Sequence, residues 1–187
     1  MKKITFITTN KHKFEEVKNI LDEFRIEVEQ LVMEYDENKE TSMDEVCKKA
    51  SKELAEKLNK SIFVEDTGLF FDAYDNFPGP LPKFVFNGIG FEGIFRLLKD
   101  KNRSAYFKTV IGYCEPGKSP ILFEDIMTGK FSEEVIKPEK DVMPYDHIFI
   151  PEGCNKVIAE MDMETKNSFS QRGKVARKLG EYLISKK

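Results

Sequence analysis

The chain begins with a strand, a polar loop and a helix in immediate succession, and this order constrains the fold more than any other feature. The segment ITFI at 4–7 is β-branched and aromatic on both faces, which is typical of a buried strand. The loop TTNKHK follows, and apolar residues at spacings of three and four then predict a helix over about 12–24. The apolar face of that helix consists of Phe14, Val17, Leu21 and Phe24. This unit places backbone N–H groups and the N-terminus of a helix where they can bind an anion.

Later segments continue with both kinds of secondary structure. The further predicted strands are 26–32, 62–64, 105–114, a hairpin over 121–136 that turns near Thr128 and Gly129, and 147–150. The further predicted helices are one that Ser42 caps together with Glu45, one that ends in 93–100, and a last one with its apolar face over 175–183. The prolines of FPGPLP at 77–82 predict no regular structure there. The sequence therefore predicts an α/β fold with a mixed sheet.

Composition limits the class of protein. A chain of 187 residues with 40% hydrophobic and 34% charged residues is globular and long enough for a single domain with its own core. Its net charge of −3 gives no support to a nucleic-acid polymer as partner. We expect no signal peptide and no membrane span, because the apolar runs are short. The three cysteines have no metal-binding spacing, which favours buried thiols in a reducing, cytoplasmic setting.

Carboxylates follow the predicted strand at 62–64. Glu65 and Asp66 come directly after it, and Glu37 lies in an acidic loop upstream. Hard oxygen ligands from two segments suit Mg²⁺, which takes one or two carboxylates together with substrate phosphates and waters. The alternative is a pair of exposed acids before a glycine turn.

Two clusters of polar and basic residues suit an anion. The first, at the turn after the opening strand, contains Thr8, Thr9, Asn10, Lys11 and Lys13, whose hydroxyl, amide and ammonium groups suit a polyphosphate. A self-stabilised polar turn with solvated lysines explains the same residues. The second cluster precedes and begins the last helix, where cations oppose the helix dipole unless an anion binds, although simple solvent exposure is the alternative. It consists of Lys166, Ser170 and Arg172.

Taken in order, these segments resemble the inosine triphosphate pyrophosphatase family, which hydrolyses non-standard purine nucleoside triphosphates. The resemblance runs nearly from end to end, through FITTNKHKFEEVKNIL, VEDTGLFFDA, FPGP, YFKTVIGY and AEMDMETKNSFSQRGKVARKLGEYL. It implies a single domain at 1–187 with an elongated mixed sheet that separates two lobes, helices on both sides and an active cleft between the lobes. It also implies a homodimer and cleavage to a nucleoside monophosphate and pyrophosphate with Mg²⁺ or Mn²⁺.

The resemblance also implies roles for individual residues. Asp66 would bind metal and orient or deprotonate the attacking water, and Lys13 would stabilise the charge that develops on pyrophosphate. Glu37 would be the second metal ligand, with Glu34 as the less favoured alternative. The substrate-binding residues would be Thr8, Asn10, Lys13, Lys83, Tyr145, Asp146, Lys166, Gln171 and Arg172.

The sequence departs from the family pattern at the purine pocket. Gln171 replaces the histidine of a Ser-His-Arg motif, and Met143, Pro144 and His147 depart from a Phe-Gly-aromatic-Asp-Pro run. A methionine offers less area to a base than phenylalanine, and glutamine cannot carry positive charge. Selection of ITP, dITP and XTP is therefore less firmly implied than pyrophosphate release. A relative with another base preference and a non-catalytic nucleotide-binding protein remain as alternatives.

Overall fold

The computed structural model describes residues 2–35 and 42–186. The strands are β1 (Lys2–Ile7), β2 (Ile26–Leu31), β3 (Ile62–Phe71), β4 (Pro78–Gly79), β5 (Ser104–Cys114), β6 (Ile121–Phe131) and β7 (Phe149–Pro151). The helices are α1 (Lys11–Glu23), α2 (Met43–Leu58), α3 (Pro82–Leu97), α4 (Met163–Phe169) and α5 (Gln171–Ser185), with two short 3₁₀ turns at Pro144–His147 and Ile158–Glu160.

Within the described residues the strands form one seven-stranded sheet in the order β2-β1-β3-β5-β6-β7, with β4 paired to β3. The strand β1 pairs in parallel with β2 and β3, whereas β4 and β7 pair antiparallel with β3 and β6. The predicted α/β fold with a mixed sheet is therefore confirmed. In the part of the chain that the structure describes, no helix is both long and apolar enough to cross a membrane.

The chain divides into two compact units. Unit 1 contains residues 1–67, 109–125 and 167–187, and unit 2 contains residues 68–108 and 126–166. The boundaries between the units fall within β3, β5, β6 and α4.

The core of unit 1 is mainly aliphatic, with a few aromatic side chains, and is built around the N-terminal strand. Ile4 and Phe6 of β1 are buried with Val17, Ile20 and Leu21 of α1, as the sequence pattern predicts. The helix α5 adds Val175, Ala176, Leu179 and Leu183 to the same cluster. Gly180 permits this close approach, because a Cβ atom there would lie 2.7 Å from the ring of Phe24. The two helices that flank the polar turn are thus fixed by packing.

The core of unit 2 is aromatic. Phe131 packs edge-on against Phe71 and Phe149, with ring centroids 5.1 and 5.6 Å apart. Phe107 lies 4.9 Å from Phe149, also edge-on. Edge-to-face arrangements of this kind are the favoured geometry of aromatic pairs.

Two predictions about local structure are wrong. The predicted hairpin near Gly129 does not form, because β6 runs unbroken from Ile121 to Phe131. Gly129 serves close packing instead, since a Cβ atom there would lie 2.4 Å from the backbone oxygen of Ile150. The segment 77–82 is partly regular: Pro78 and Gly79 pair with β3, and Pro82 begins α3. Proline is well tolerated at the first position of a helix, where its missing N–H has no partner to lose.

Candidate active site

The polar turn after β1 is organised by its own side chains. Thr8 Oγ1 accepts a hydrogen bond from the backbone N–H of Asn10 at 3.2 Å, and Asn10 Oδ1 accepts from the N–H of Lys13 at 3.2 Å. Asn10 is thereby the N-cap of α1. The capped helix places the side chain of Lys13 in its first turn, close to β3.

Lys13 binds Glu65 on the neighbouring strand. Its Nζ lies 3.2 Å from Glu65 Oε1 and 3.5 Å from the backbone oxygen of Glu65. The Lys13 side chain is 19% exposed, whereas the Glu65 side chain is wholly buried. The ammonium group is therefore held at the strand that bears the paired carboxylates and keeps an accessible side.

Arg172 occupies the other side of the Glu65 carboxylate. Its Nε donates to Glu65 Oε2 at 2.8 Å and its Nη2 to Glu65 Oε1 at 3.1 Å, which is a bidentate pair. Its Nη1 donates to Glu16 Oε2 at 2.7 Å, and its Nη2 also approaches Thr67 Oγ1 at 3.3 Å. We call Glu16, Glu65, Lys13 and Arg172 the buried ion network. Two cations balance two carboxylates in it.

The network keeps Glu65 ionised. Burial alone would raise the pKa of Glu65, but the charges of Arg172 and Lys13 and the hydrogen bonds from Arg172 and Thr67 outweigh it and lower the pKa to about 2. Burial alone would lower the pKa of Arg172, but the charges of Glu65 and Glu16 and their hydrogen bonds outweigh burial, so the pKa is raised. Both groups therefore stay charged across the physiological range.

Asp66 lies one position farther along β3. Successive side chains of a strand point to opposite faces, so Asp66 faces away from the side on which Glu65 binds Arg172. It is 5% exposed, and its Oδ1 accepts from the N–H of Thr67 at 3.0 Å. Cys47 of α2 lies near it: burial raises the pKa of this thiol to about 12, and the charge of Asp66 adds to the shift.

The paired carboxylates lie inside a strand and not at its end. The sequence predicts that the strand stops at residue 64, but β3 continues through Glu65, Asp66 and Thr67 to Phe71. A strand can bury a glutamate here because Arg172 and Lys13 compensate its charge. The alternative of two exposed acids at a turn is wrong, since Glu65 and Asp66 are 4% and 5% exposed.

The donor set of Asp66 fits a hard divalent cation. Both oxygens of Glu65 are already bound by cations, which leaves Asp66 as the carboxylate suited to metal in this part of β3. Mg²⁺ needs as little as one protein carboxylate when substrate phosphates and waters supply the remaining ligands. No group of three or more His, Cys, Asp or Glu side chains that could hold a metal occurs at residues 2–35 and 42–186. Glu37 lies outside the described residues, and the alternative Glu34 is exposed.

The C-terminal segment of unit 1 contributes buried amides. Ser170 caps α5 by accepting a hydrogen bond from the N–H of Gly173 at 3.1 Å. The first residue of that helix, Gln171, is only 5% exposed. Among the described residues, no group donates a hydrogen bond to Gln171 Oε1. Asn167 Nδ2 donates to the backbone oxygen of Glu16 at 3.3 Å and ties this segment to α1. A buried amide oxygen that lacks a donor is suited to accept one from a ligand.

The other predicted substrate residues lie in unit 2. Asp146 Oδ2 is 2.6 Å from Lys166 Nζ, and both side chains are largely buried. Tyr145 is also buried, and its hydroxyl donates to the backbone oxygen of Pro82 at 3.0 Å. Lys83, the next residue of α3, is exposed. These residues therefore form a group around one ion pair and one tyrosine.

Three of the four replaced positions of the predicted purine pocket, Met143, Pro144 and His147, also lie in unit 2, whereas Gln171 lies in unit 1. His147 Nδ1 is 3.0 Å from the backbone oxygen of Ile136, and its ring lies edge-on to Phe91 at 6.1 Å. Pro144 begins the 3₁₀ turn that bears Tyr145 and Asp146, with Met143 as its N-cap residue. Proline in place of glycine suits the first position of this turn because its φ is fixed in the helical range.

Sequence reasoning missed Glu16, Thr67 and Asn167. Glu16 follows Lys13 by three residues and so lies on the same face of α1, a spacing that could have marked it. Thr67 follows Glu65 by two residues on the same face of β3, where its hydroxyl donates to Glu65 Oε1 at 2.7 Å. No local signal identifies Asn167, because its partner on α1 is 151 residues away in the chain.

Comparisons with known proteins relate the chain to one family over nearly its whole length. Residues 4–182 match the sequence profile of the Ham1 family. A protein named dITP/XTP pyrophosphatase from Methanopyrus kandleri is 40% identical over 181 residues, covering 96% of this chain and 95% of that protein. Another of that name, from Methanosarcina acetivorans, is 37% identical over the full length of both chains.

Solved structures show the same fold. A HAM1 protein from Coxiella burnetii superposes with a TM-score of 0.81 at 22% identity, covering 99% of this chain and 100% of that one. The Ham1 protein of Staphylococcus aureus superposes with a TM-score of 0.74 at 22% identity over the whole of both chains.

Proposed function

Because this chain belongs to the Ham1 family, we propose that it hydrolyses the non-standard purine nucleoside triphosphates ITP, dITP and XTP to the monophosphate and pyrophosphate. Relatives that share about 40% of its residues over nearly the whole chain are named dITP/XTP pyrophosphatases. One observation of this chain supports the chemistry above the others: the ammonium of Lys13 is fixed at β3 by Glu65, the residue next to Asp66.

The proposed reaction needs a base for water and positive charge for the phosphates. Asp66 orients the attacking water and accepts its proton as the general base. Lys13 donates to the phosphate oxygens of the departing pyrophosphate, whose charge grows as the bond to the α-phosphorus breaks. Thr8 and Asn10 hold the first turn of α1 at the phosphates.

A divalent cation completes the proposal. Mg²⁺ or Mn²⁺, when bound, neutralises phosphate charge and orients the triphosphate. Asp66 would hold it, with Glu37 as a second ligand predicted from the sequence. The roles of these two residues and the choice of metal stay predictions.

The base is recognised by amides and charges in this proposal. The amide of Gln171 can donate to a 6-keto oxygen, and its buried Oε1 can accept from a ring N–H. Arg172, Tyr145, Asp146, Lys166 and Lys83 stay predicted substrate contacts. A different base preference remains the second candidate, since Gln171 cannot supply the charge that a histidine can.

The proposal includes a homodimer in the cytoplasm, where nucleotide pools are maintained. A non-catalytic nucleotide-binding protein is the less favoured candidate. A chain released from catalysis has no reason to keep Asp66 buried in β3 and Lys13 fixed at the same strand.

The first test is pyrophosphate release with Mg²⁺ from ITP, dITP, XTP, GTP, ATP, CTP and UTP, with chromatography of the nucleotide product. We expect turnover of ITP, dITP and XTP well above the others, with monophosphate as the product. A parallel preparation of Asp66→Asn controls for contaminating phosphatases. Turnover of another nucleotide would keep the mechanism and change the substrate, and no release by folded protein would reject the enzyme.

A further inference from the structure

Glu65 is a buried carboxylate that the proposed chemistry does not use. Its Oε1 binds Lys13 Nζ at 3.2 Å, Thr67 Oγ1 at 2.7 Å and Arg172 Nη2 at 3.1 Å. Its Oε2 accepts from Arg172 Nε at 2.8 Å. A carboxylate with this many hydrogen bonds has a fixed position. It can therefore hold the ammonium group of Lys13 in a fixed position as well.

The two cations bound to Glu65 are held very differently. Arg172 is enclosed, with a side chain only 3% exposed and donors directed to Glu16, Glu65 and Thr67. Lys13 is more open, at 19%. Arg172 and Thr67 therefore fix the carboxylate, while Lys13 is the group whose freedom the carboxylate limits.

A free lysine side chain is a flexible, strongly hydrated point charge. Lys13 also lies 3.5 Å from the backbone oxygen of Glu65, which belongs to the peptide unit that joins Glu65 to Asp66. The carboxylate and this carbonyl together hold the ammonium at β3. Charges fixed before the reaction stabilise a transition state better than charges that must be ordered during it.

We propose that Glu65 is a positioning residue that fixes the ammonium of Lys13 at β3, so that the ammonium meets the triphosphate already in place. The inference deepens the proposed function and rests on it. Glu65 itself touches neither phosphate nor metal. The contrasting explanation is that Glu65 only neutralises the buried Arg172, in which case its loss affects stability and acts independently of Lys13.

A double-mutant cycle separates these explanations. The variants are Glu65→Gln, Lys13→Ala and the two combined, measured by kcat and KM with ITP. We expect Lys13→Ala to lower kcat/KM by about 10²–10³-fold, and Glu65→Gln by about 10²-fold, as for a misplaced catalytic group. The double variant is expected to match Lys13→Ala within about twofold, the usual error of additivity. Losses that multiply would overturn the proposal.

A second variant, Thr67→Val, tests the same proposal in case Glu65→Gln does not fold. Thr67→Val removes the hydroxyl that donates to Glu65 Oε1 and changes no charge. It is expected to lower kcat several-fold in the wild type and to have no effect in the Lys13→Ala background. Equal losses in both backgrounds would overturn the proposal, and the thermal midpoint of each variant shows that folded protein was compared.

The surface pair Lys3 and Glu27 is the matched control. Lys3 Nζ lies 3.4 Å from Glu27 Oε1 on adjacent strands of the same sheet, and both side chains are about half exposed. Lys3→Ala, Glu27→Gln and their combination are expected to leave kcat/KM unchanged, which shows that coupling at Lys13 and Glu65 is specific.

Failure of the proposed function stays distinguishable from failure of this inference. If the wild type cleaves no nucleotide, the proposed function fails, and the cycle is repeated with the affinity for inorganic pyrophosphate measured by calorimetry. Non-additive affinities would still support Glu65 as the residue that positions Lys13. Additive affinities would overturn it.

Discussion

The two groups of charged residues that contain predicted substrate contacts are built in different ways. In unit 1, Lys13, Glu16, Glu65 and Arg172 form a buried network in which two positive and two negative charges are joined by hydrogen bonds. In unit 2, one ion pair between Asp146 and Lys166 lies with a tyrosine that packs against aromatic rings.

The difference shows how each group is held in place. The network of unit 1 joins a long strand, α1 and α5, so its charges are fixed by regular structure. Asp146 and Tyr145 lie on a 3₁₀ turn of four residues, and Lys166 on α4, a helix of seven residues. The rigid charged group of unit 1 suits the phosphates, because every nucleoside triphosphate has them. The group of unit 2 lies on short elements, whose residues can be replaced when the preferred base differs.

The largest expected effect is on turnover, at Asp66. Asp66→Asn keeps the shape of the side chain but removes the proton acceptor, so kcat should fall by about 10³-fold or more. Asp146→Asn in unit 2 is the matched change, and we expect it to raise KM more than it lowers kcat. Turnover by Asp66→Asn at the wild-type rate would contradict the role of Asp66.

The next effect is on stability and contrasts the two ion groups directly. Arg172→Met removes the cation that Glu16 and Glu65 share, and the free energy of unfolding should fall by about 3–5 kcal/mol. Lys166→Met removes the cation that binds a single carboxylate, Asp146, and should lower the free energy of unfolding by about 1–3 kcal/mol. Urea unfolding of both variants beside the wild type measures the difference. Equal losses would show that the network of unit 1 is no more integrated than the single pair.

The pH dependence of stability should show the same contrast. The folded pKa of Glu65 is lowered from 4.5 to about 2, so its ionised form stabilises the fold above pH 4.5. That contribution is lost as the pH falls from 4.5 towards 2, while Glu65→Gln lacks it at every pH. The gap in unfolding free energy between wild type and Glu65→Gln should therefore be full at pH 7 and shrink below pH 4.5. A gap that stays constant down to pH 2 would contradict the low pKa.

The smallest effect is expected at the tyrosine of unit 2. Tyr145→Phe removes the hydroxyl that donates to the backbone oxygen of Pro82 and keeps the ring contacts, so stability should fall by about 0.5–1.5 kcal/mol. Burial raises the pKa of Tyr145, so the hydroxyl remains a donor at neutral pH. Thermal unfolding gives the loss, and kinetics with ITP would show whether the hydroxyl also touches substrate. A loss well above this range would mean that the hydroxyl has a larger part in the core of unit 2.

Local patterns in the sequence predicted much of the fold of unit 1. The strand, polar turn and helix at the N-terminus follow from the burial pattern of neighbouring residues, and Ser42 caps α2 as predicted, with its Oγ accepting from the N–H of Glu45 at 3.2 Å. Such features were predictable because the interacting groups lie within a few residues of one another. In unit 2 the same reasoning failed at Gly129, where the need for glycine comes from a strand far along the chain.

The sequence by itself predicted which residues carry the chemistry, since Lys13, Asp66 and the C-terminal basic segment stand out by type and by order. Only the tertiary structure decided that the two acids of β3, Glu65 and Asp66, have different surroundings. Glu65 and Asp66 are neighbours with similar side chains, and the alternation of the strand directs them to opposite faces. The partner that holds the Glu65 carboxylate is Arg172, 107 residues away, and no local pattern encodes a pairing over that distance.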